Sequence, residues 1–303
     1  YSHEARFYAG AQDFLAATVP FIEAGLSAGE PVHVVTRAAR LDQLRGAIPP
    51  HELLHLADMD VVGSNPGLII AAWADFVQAH AGPATPVRGI GEPVHPDRAP
   101  VELAACQLHE ELLNLAFDAS TPLWLICPYD TSALPDDVLE HARAAHPQVS
   151  GAAGARTAPG VFSRPDPAAL LDRTLDPRPD GVVTLEFGAE MLGELRSYVR
   201  AFAVQVGVSA TRAEDLVVAI NEVTTNTVRH GGGAGELRLW AGPDRIVCEV
   251  SDDGRIADPL IGRRPPPAAA AGGRGVWLAN MLCDLLQIRS GADGTTVRLH
   301  IRR

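Results

Sequence analysis

Three side chains able to do chemistry lie four residues apart in the second half of the chain: Glu222, Asn226 and His230. In a helix, each step of four residues advances about 400°, so the three side chains share one stripe of its surface. A stripe carrying a carboxylate, an amide and an imidazole needs polar partners if it is buried. It is therefore either a solvated polar face or one wall of a binding site.

Two later segments could complete such a site. Asp252-Asp-Gly254 ends a predicted strand, where an Asp before Gly is also common in ordinary turns. Gly272-Gly-Arg-Gly275 stands directly before an apolar helix, so its backbone N–H groups could cradle a phosphate or merely form a flexible loop. The order and spacing of the three segments together favour a nucleotide site.

Composition excludes several functions. All 25 basic residues among the 303 are arginine, so there is no P-loop lysine, no Schiff-base lysine and no β3 lysine of a protein kinase. Residues 1–150 contain 7 arginines and 19 acidic residues, whereas residues 182–303 contain 14 of each. The acidic first half argues against nucleic acid or a membrane surface as a partner.

The four cysteines are scattered without CxxC spacing, and no apolar run approaches the roughly 18 residues of a membrane span. No signal peptide opens the chain. We therefore expect a cytoplasmic protein with reduced thiols.

The patterning predicts two domains, residues 1–150 and 182–303, joined by a linker rich in Pro, Gly and Ala at 151–181. The first alternates strands and helices, which predicts a mostly parallel, RecA- or Rossmann-like α/β domain. The second predicts helices packed against one antiparallel sheet, an α/β sandwich. In it, Thr211 and Glu214 suggest a capping box at the start of the helix that ends near His230, and residues 254–274 form a candidate lid.

The second half resembles the Bergerat-fold ATPases, the superfamily of gyrase, Hsp90, histidine kinases and MutL. Glu222-Val-Thr-Thr-Asn-Thr-Val-Arg-His230 is similar to the N box, Asp252-Asp-Gly254 to the adenine-reading motif, and Gly273-Arg-Gly275 to the second glycine box. Gly294-Thr-Thr296 is similar to the last binding element. Within the superfamily the resemblance is to the anti-sigma-factor serine kinases.

The resemblance implies a role for each matching residue. Asn226 would ligate Mg²⁺, Glu222 would be the general base, and Asp252 would accept a hydrogen bond from the adenine amino group. The remaining residues expected to bind the cofactor ATP are His230, Gly254, Gly273, Arg274, Gly275 and Thr296.

The chain departs from this pattern in two places. Ala271 replaces the arginine that precedes the glycine pair, and Ile256 replaces the second glycine of the adenine motif. Any cation near the γ-phosphate would have to be Arg274, or Arg263 and Arg264 of the lid. Nucleotide binding is expected to survive both changes, whereas phosphoryl transfer depends on them more.

The first half resembles the MEDS sensory domain, which is thought to sense small hydrocarbon derivatives. The matching segments are Asp58-Met59, Gly63-Ser-Asn-Pro66, Val87–Glu92, Glu111–Asn114, Ile126–Asp130 and His146-Pro147. Candidates for a small-ligand pocket are Arg88, Glu92, Glu111, Tyr129 and Asp130, because they fall at predicted strand ends or on the facing helix. The alternative is that they form one buried polar network.

Two motifs of the first half are interpreted as accidental. His51-Glu-Leu-Leu-His55 matches the HExxH zinc-protease pattern, but it follows two prolines and enters a predicted strand rather than a helix. His109-Glu110 lacks the proline that follows the phospho-acceptor of a histidine kinase. A zinc hydrolase and a histidine kinase are therefore not expected.

The leading hypothesis is an ATP-binding anti-sigma regulator that phosphorylates a serine of a STAS-type antagonist and is controlled by the sensor. The alternative is a nucleotide-dependent switch that sequesters a partner without kinase activity. The resemblance implies a sigma factor and an antagonist as partners, and it allows a homodimer.

Overall fold

A computed structural model describes residues 1–82, 85–267 and 273–303. The chain divides into two compact units, Tyr1–Pro165 and Asp166–Arg303. Ala271 and Gly272, on which two of the expectations above rest, lie outside the described residues. None of the described helices is both long and apolar enough to cross a membrane.

The first unit is an α/β domain with a mostly parallel sheet. Its elements in chain order are β1 (Ser2–Tyr8), α1 (Gly10–Ser27), β2 (Val32–Thr36), α2 (Ala38–Ala47), β3 (Leu54–Asp58), α3 (Met59–Val62), a 3₁₀ turn (Pro66–Leu68), α4 (Ile69–His80), β4 (Val87–Gly91), α5 (Pro100–Ala116), β5 (Leu123–Asp130), α6 (Asp136–Ala145), β6 (Gln148–Ser150) and β7 (Arg156–Thr157). The strand order is β3-β2-β4-β5-β1-β6-β7, and only the last pair is antiparallel. The expected fold class of the first half is confirmed.

Strand β1 lies between β5 and β6, and sequence patterning does not predict it. Its residues alternate between two buried faces: His3 and Ala5 face one side, and Glu4 and Arg6 the other. Because polar residues occupy both faces, β1 lacks the apolar run that usually marks a buried parallel strand.

The second unit is a two-layer sandwich. Its elements are α7 (Pro167–Leu171), β8 (Val183–Gly188), a 3₁₀ turn (Ala189–Met191), α8 (Leu192–Gln205), α9 (Ala210–His230), β9 (Ala234–Ala241), β10 (Arg245–Asp252), α10 (Arg274–Leu282), β11 (Leu285–Gly291) and β12 (Gly294–Arg302). The strands are all antiparallel, in the order β11-β12-β10-β9-β8. Its core lies between the sheet and α8, α9 and α10. The expected sandwich is confirmed.

The second part of the segment expected to be a linker packs on the second unit. Leu170 and Leu171 of α7 are buried. The backbone carbonyl of Asp176 accepts a hydrogen bond from Arg298 at 2.8 Å, and Arg178 pairs with Glu249 at 2.6 Å. The segment around α7 therefore covers part of the sheet face that the helices leave open.

A buried ion pair on β1 provides a test of the first unit. Arg6 donates to the Oε1 of Glu4, and the hydroxyl of Ser150 donates to the same oxygen at 2.5 Å. Glu4 has no exposed surface, and these partners compensate its charge together with the indole N–H of Trp124 at 3.2 Å.

We expect Glu4→Gln to destabilise the first unit by about 3–5 kcal/mol, because it leaves the buried Arg6 guanidinium without its counter-charge. Urea unfolding of the full chain, followed by hydrogen exchange of the β1 amides, measures the change. Glu23→Gln, at an exposed position of α1, should shift stability by no more than about 0.5 kcal/mol. Equal effects of the two substitutions would contradict a compensated buried charge.

Candidate functional site

Helix α9 carries the first part of the site. It begins two residues before the predicted capping box: the N-cap is Ser209, whose hydroxyl accepts from the backbone N–H of Arg212 at 3.4 Å. The expected pairing of Thr211 with Glu214 is therefore wrong. Glu214 instead pairs with Arg200 of α8 at 2.5 Å, since its position in the helix turns it toward that neighbour.

Glu222 and Asn226 lie on one face of α9, half-buried beneath the first turn of α10. A Cβ added to Gly275 would stand 2.7 Å from Oε2 of Glu222 and 3.3 Å from Nδ2 of Asn226. Any larger residue at this position would push against the carboxylate. The glycine thus lets the start of α10 approach the carboxylate and the amide of α9.

His230, the third member of the sequence stripe, is exposed in the last turn of α9. The next residue, Gly231, ends the helix directly over Asp252: a Cβ added there would lie 2.6 Å from Oδ2 of that residue. The glycine allows the helix end and the end of β10 to meet without a side chain between them.

The carboxylate of Asp252 is oriented by two hydrogen bonds. Its Oδ2 accepts from the hydroxyl of Thr227 at 2.6 Å, and its Oδ1 accepts from the backbone N–H of Gly254 at 2.8 Å. An ionised carboxylate has about four acceptor positions. Two of them therefore remain for a ligand donor such as an exocyclic amine.

Thr295, rather than the expected Thr296, faces this side of the sheet. Thr295 lies opposite Asp252 in the ladder, and its hydroxyl donates to the carbonyl of Gly254 at 2.8 Å. Thr296 points to the other face, where its hydroxyl lies 3.2 Å from that of Ser251. Side chains alternate along a strand, so choosing the adjacent residue selects the wrong face. We revise the candidate from Thr296 to Thr295.

The start of α10 forms a second recess. Gly273 is the N-cap with a left-handed φ of +86°, and Arg274 is the exposed first residue of the helix. A cavity of about 310 Å³ lies between Gly273 and the loop residues 258–267. The first N–H groups of a helix have no intrahelical acceptor and favour anions.

The two loop arginines differ in their environment. Arg264 is exposed. The Nη1 of Arg263 is buried and meets no hydrogen-bond partner in the part of the chain that the structure describes. Burial lowers the pKa of Arg263 to about 10, so its guanidinium is still protonated at neutral pH. A guanidinium nitrogen that is buried without an acceptor among the described residues suits an anionic ligand.

In the first unit, two of the five pocket candidates meet at the carboxyl edge of the sheet. Glu92 is buried after β4 and accepts from the hydroxyls of Tyr8, at 2.5 Å, and Thr36. Arg40 reaches the Oδ2 of Asp130 at 3.1 Å and lies over the Tyr8 ring. Burial raises the pKa of Glu92. The edge thus holds a connected polar network, as strand ends of parallel sheets often do.

The other three candidates lie elsewhere. Arg88 is near the amino end of β4, paired with Glu30 at 2.5 Å. Glu111 faces His141 of α6 at 3.3 Å. Tyr129 is buried on the face of β5 that carries α5 and α6, with its ring edge-on to His146. Strand alternation and strand direction separate these residues, so the five do not line one pocket.

The two motifs interpreted as accidental have the expected geometry. His51 precedes a turn and His55 lies in β3, so they share no helical face. His109 and Glu110 are buried in α5, where no phosphate donor could reach the imidazole.

Two family models match separate parts of the chain. Residues 2–147 match the model of the MEDS domain, described as "MEthanogen/methylotroph, DcmR Sensory domain". Residues 186–301 match the model of the histidine kinase-like ATPase domain. The chain joins a MEDS domain to a histidine kinase-like ATPase domain.

Relatives of the ATPase domain include the serine-protein kinase RsbW of Halalkalibacterium halodurans, which is 29% identical over 119 residues, 35% of this chain and 74% of the relative. A crystal structure of the RsbU and RsbW domains of Rv1364c from Mycobacterium tuberculosis is also similar, at 22% identity and a TM-score of 0.31. That match covers 41% of this chain and only 33% of the other.

Sequence reasoning missed several residues that shape the ATPase site: Thr227, Gly231 and Thr295. Each stands next to a residue that was chosen, so the spacing of the motifs does not show which of the two neighbours faces the site. In the MEDS domain it missed Tyr8 and Arg40. The strand that carries Tyr8 was not predicted, and Arg40 lies in a different element, α2, from which it reaches Asp130. Thr227 could have been found from its place directly after Asn226, because that position of the helix faces the sheet.

We expect Gly231→Ala to destabilise the ATPase domain by roughly 1–3 kcal/mol, because the new methyl overlaps the carboxylate that Thr227 and Gly254 hold in place. Chemical denaturation measures it. The matched control is Gly193→Ala on the exposed surface of α8, which should stabilise by roughly 0.5–1 kcal/mol through helix propensity. A stabilising effect at both positions would show that the close approach to Asp252 is wrong.

Proposed function

We propose that the ATPase domain binds Mg²⁺-ATP and acts as an anti-sigma serine kinase, under the control of the MEDS domain. The observation that carries the proposal is the approach of Gly275 to Glu222 and Asn226. It brings the start of α10, which favours anions, against a carboxylate and an amide. The relationship to a serine-protein kinase supports the same activity.

The electrostatics orient the nucleotide. The end of the sheet near Asp252 carries many carboxylates. Glu186 and Glu236, which share the Ser251 face, line a groove of about 620 Å³ there together with Glu190, Asp253 and Asp293. These charges repel a triphosphate, whereas the start of α10 and the buried Arg263 attract one. The base therefore belongs at Asp252, and the phosphates at Gly273, Arg274 and Gly275.

The residues at the phosphate end fit a magnesium ion shared with the nucleotide. Mg²⁺ takes oxygen ligands, keeps several waters, and needs only one or two side chains beside the phosphates. The amide oxygen of Asn226 is such a ligand. The bound ion would draw charge from the phosphate oxygens during transfer.

The roles of Glu222 and Arg263 follow from the chemistry of phosphoryl transfer. The carboxylate of Glu222 accepts the proton of a serine hydroxyl as the serine oxygen bonds to the γ-phosphorus. The bond from that phosphorus to the β-phosphate oxygen breaks, and ADP leaves. Arg263 compensates the charge that accumulates on the transferred group, in place of the lysine that this chain lacks.

The proposed partners follow from the same relationship: a sigma factor bound by the ATPase domain, and a STAS-type antagonist as the phosphate acceptor. In the MEDS domain, the network of Glu92 and Asp130 is the candidate for a small-molecule site. We also propose a cytoplasmic location, where reducing conditions would preserve the four free thiols.

A nucleotide-dependent switch without kinase activity is the second candidate. The backbone N–H of Ile256 donates to Ser290 of β11 at 2.9 Å, so the position where related kinases have a glycine is tied to the sheet. The β-branched side chain of Ile256 also allows fewer backbone conformations than a glycine, which favours a binding switch over a mobile catalytic loop. The Glu222 experiment below separates the two candidates.

Asn226→Ala should weaken Mg²⁺-ATP binding about tenfold or more, since it removes the proposed side-chain ligand of the ion. Isothermal titration calorimetry of the full chain with ATP, with and without magnesium, measures it. Asn221→Ala is the matched control on the same helix, because Asn221 accepts from Arg196 of α8 instead. Unchanged affinity in Asn226→Ala would remove this residue from the site.

Glu222→Gln should leave ATP binding unchanged but lower serine phosphorylation of the antagonist about 10²–10⁴-fold, because the amide cannot accept the serine proton. Transfer of labelled phosphate from ATP to the purified antagonist measures it. Glu214→Gln, exposed on the same helix, should transfer phosphate normally. If wild type binds ATP but phosphorylates no antagonist, the switch without kinase activity is the correct reading.

A further inference from the structure

Four side chains that could bind a metal ion meet inside the MEDS domain, on the sheet face opposite Glu4 and Arg6. They are His3 of β1, Glu110 of α5, Cys127 of β5 and His146 at the C-cap of α6. Each residue is at most 2% exposed, and one donor atom from each lies within 4.8 Å of all the others. No role in the nucleotide site or in the polar network at Glu92 accounts for this cluster.

The measured spacings suit tetrahedral coordination. The Nε2 atoms of His3 and His146 lie 3.2 and 3.3 Å from Oε2 of Glu110, and Sγ of Cys127 lies 3.5 Å from Nε2 of His3. Around a tetrahedral zinc ion, bond lengths of 2.0–2.3 Å separate nitrogen or oxygen ligands by about 3.3 Å and nitrogen from sulfur by about 3.5 Å. These three spacings match those of ligands on one ion, and the remaining pairs of donors lie within 4.8 Å of each other.

Hydrogen bonds on the far side of each imidazole turn its Nε2 inward. The Nδ1 of His146 donates to the carbonyl of Ala142 at 2.7 Å. The Nδ1 of His3 lies 3.1 Å from Oδ1 of Asn114, whose amide nitrogen donates to the carbonyl of Ala145 at 2.8 Å. Asn114 therefore accepts and His3 donates, which is how metal-bound histidines are commonly held.

With Nδ1 protonated, a neutral imidazole presents a lone pair at Nε2. Two such lone pairs then face the carboxylate of Glu110. The thiol of Cys127 could donate only one proton to the two imidazoles and the carboxylate. Accordingly, Nε2 of His146 and Oε1 of Glu110 are buried without a hydrogen-bond partner in the described residues. One thiol proton cannot satisfy all the electron pairs directed at this point, and a bound cation would compensate them.

The donor set identifies the class of cation. Two imidazoles, one carboxylate and one thiolate form a borderline-soft set that suits Zn²⁺, whereas Mg²⁺ and Ca²⁺ prefer oxygen ligands alone. The charges of Glu110 and an ionised Cys127 balance those of a divalent ion, so the buried site would be neutral overall. Four protein ligands fill a tetrahedral shell, which is typical of structural rather than catalytic zinc.

We propose that His3, Glu110, Cys127 and His146 form a structural Zn²⁺ site that fastens β1 to β5 and to the helices α5 and α6. The ion would hold β1, an interior strand of the MEDS domain, in place from one face, while the pair of Glu4 and Arg6 holds it from the other. The alternative is a network in which protons are shared among Glu110 and the two imidazoles.

The first experiment measures metal in the full chain, purified without a polyhistidine tag and dialysed against metal-free buffer. Inductively coupled plasma mass spectrometry should find about one zinc per chain. Cys127→Ser and His146→Gln should each lower this content severalfold or more. The matched controls are Cys106→Ser and His109→Gln, which alter a buried thiol and a buried imidazole of α5 outside the cluster and should keep the zinc.

Cobalt substitution keeps the test decisive if a ligand variant fails to fold. Wild type, stripped of metal by unfolding in chelator and refolded with Co²⁺, should show the visible absorption of tetrahedral cobalt and a near-ultraviolet thiolate charge-transfer band. The control Cys106→Ser should show the same spectrum. Wild type without stoichiometric zinc and without the cobalt spectrum would overturn the proposal in favour of the shared-proton network.

Discussion

The ATPase domain depends on the packing of α9 against its antiparallel sheet. Val223 and Thr227 point into the sheet, while their neighbours Glu222 and Asn226 point toward α10. One helix therefore packs on the core through one face and carries the site residues on the next, because neighbouring residues of a helix point in different directions. The bond from Thr227 to Asp252 joins these two functions, because it locks the helix to the strand end where the base of the nucleotide is proposed to bind.

Buried carboxylates impose a second constraint on both domains. A carboxylate removed from water must be compensated by nearby donors or cations. Glu4 uses Arg6, and Glu249 on the open face of the ATPase sheet uses Arg298. Among the residues that the structure describes, no arginine pairs with Glu110, and its carboxylate faces the imidazoles of His3 and His146 instead. This difference is what singles out the cluster.

Most of the fold could be predicted from periodicity, and the failures have physical causes. Strand β1 was missed because its polar residues are paired with partners far along the chain, which no local window contains. The predicted capping box failed because Ser209 and Thr211, two residues apart, are both suitable N-caps, and the helix begins at the earlier one. The choice between Thr295 and Thr296 required the strand register, since adjacent residues of a strand face opposite sides of the sheet.

The sequence by itself determined the order of the motifs, the four-residue spacing of Glu222 and Asn226, and the two families to which the halves belong. Each of these properties depends on residues close together in the chain, so it can be read without knowing how the helices and strands pack. Only the tertiary structure decided which residues of distant segments meet. His3 and Glu110 stand 107 positions apart, and no pattern in the chain predicts that their side chains come within 3.2 Å. Their meeting depends on the order of the strands in the sheet, which is set by long-range packing.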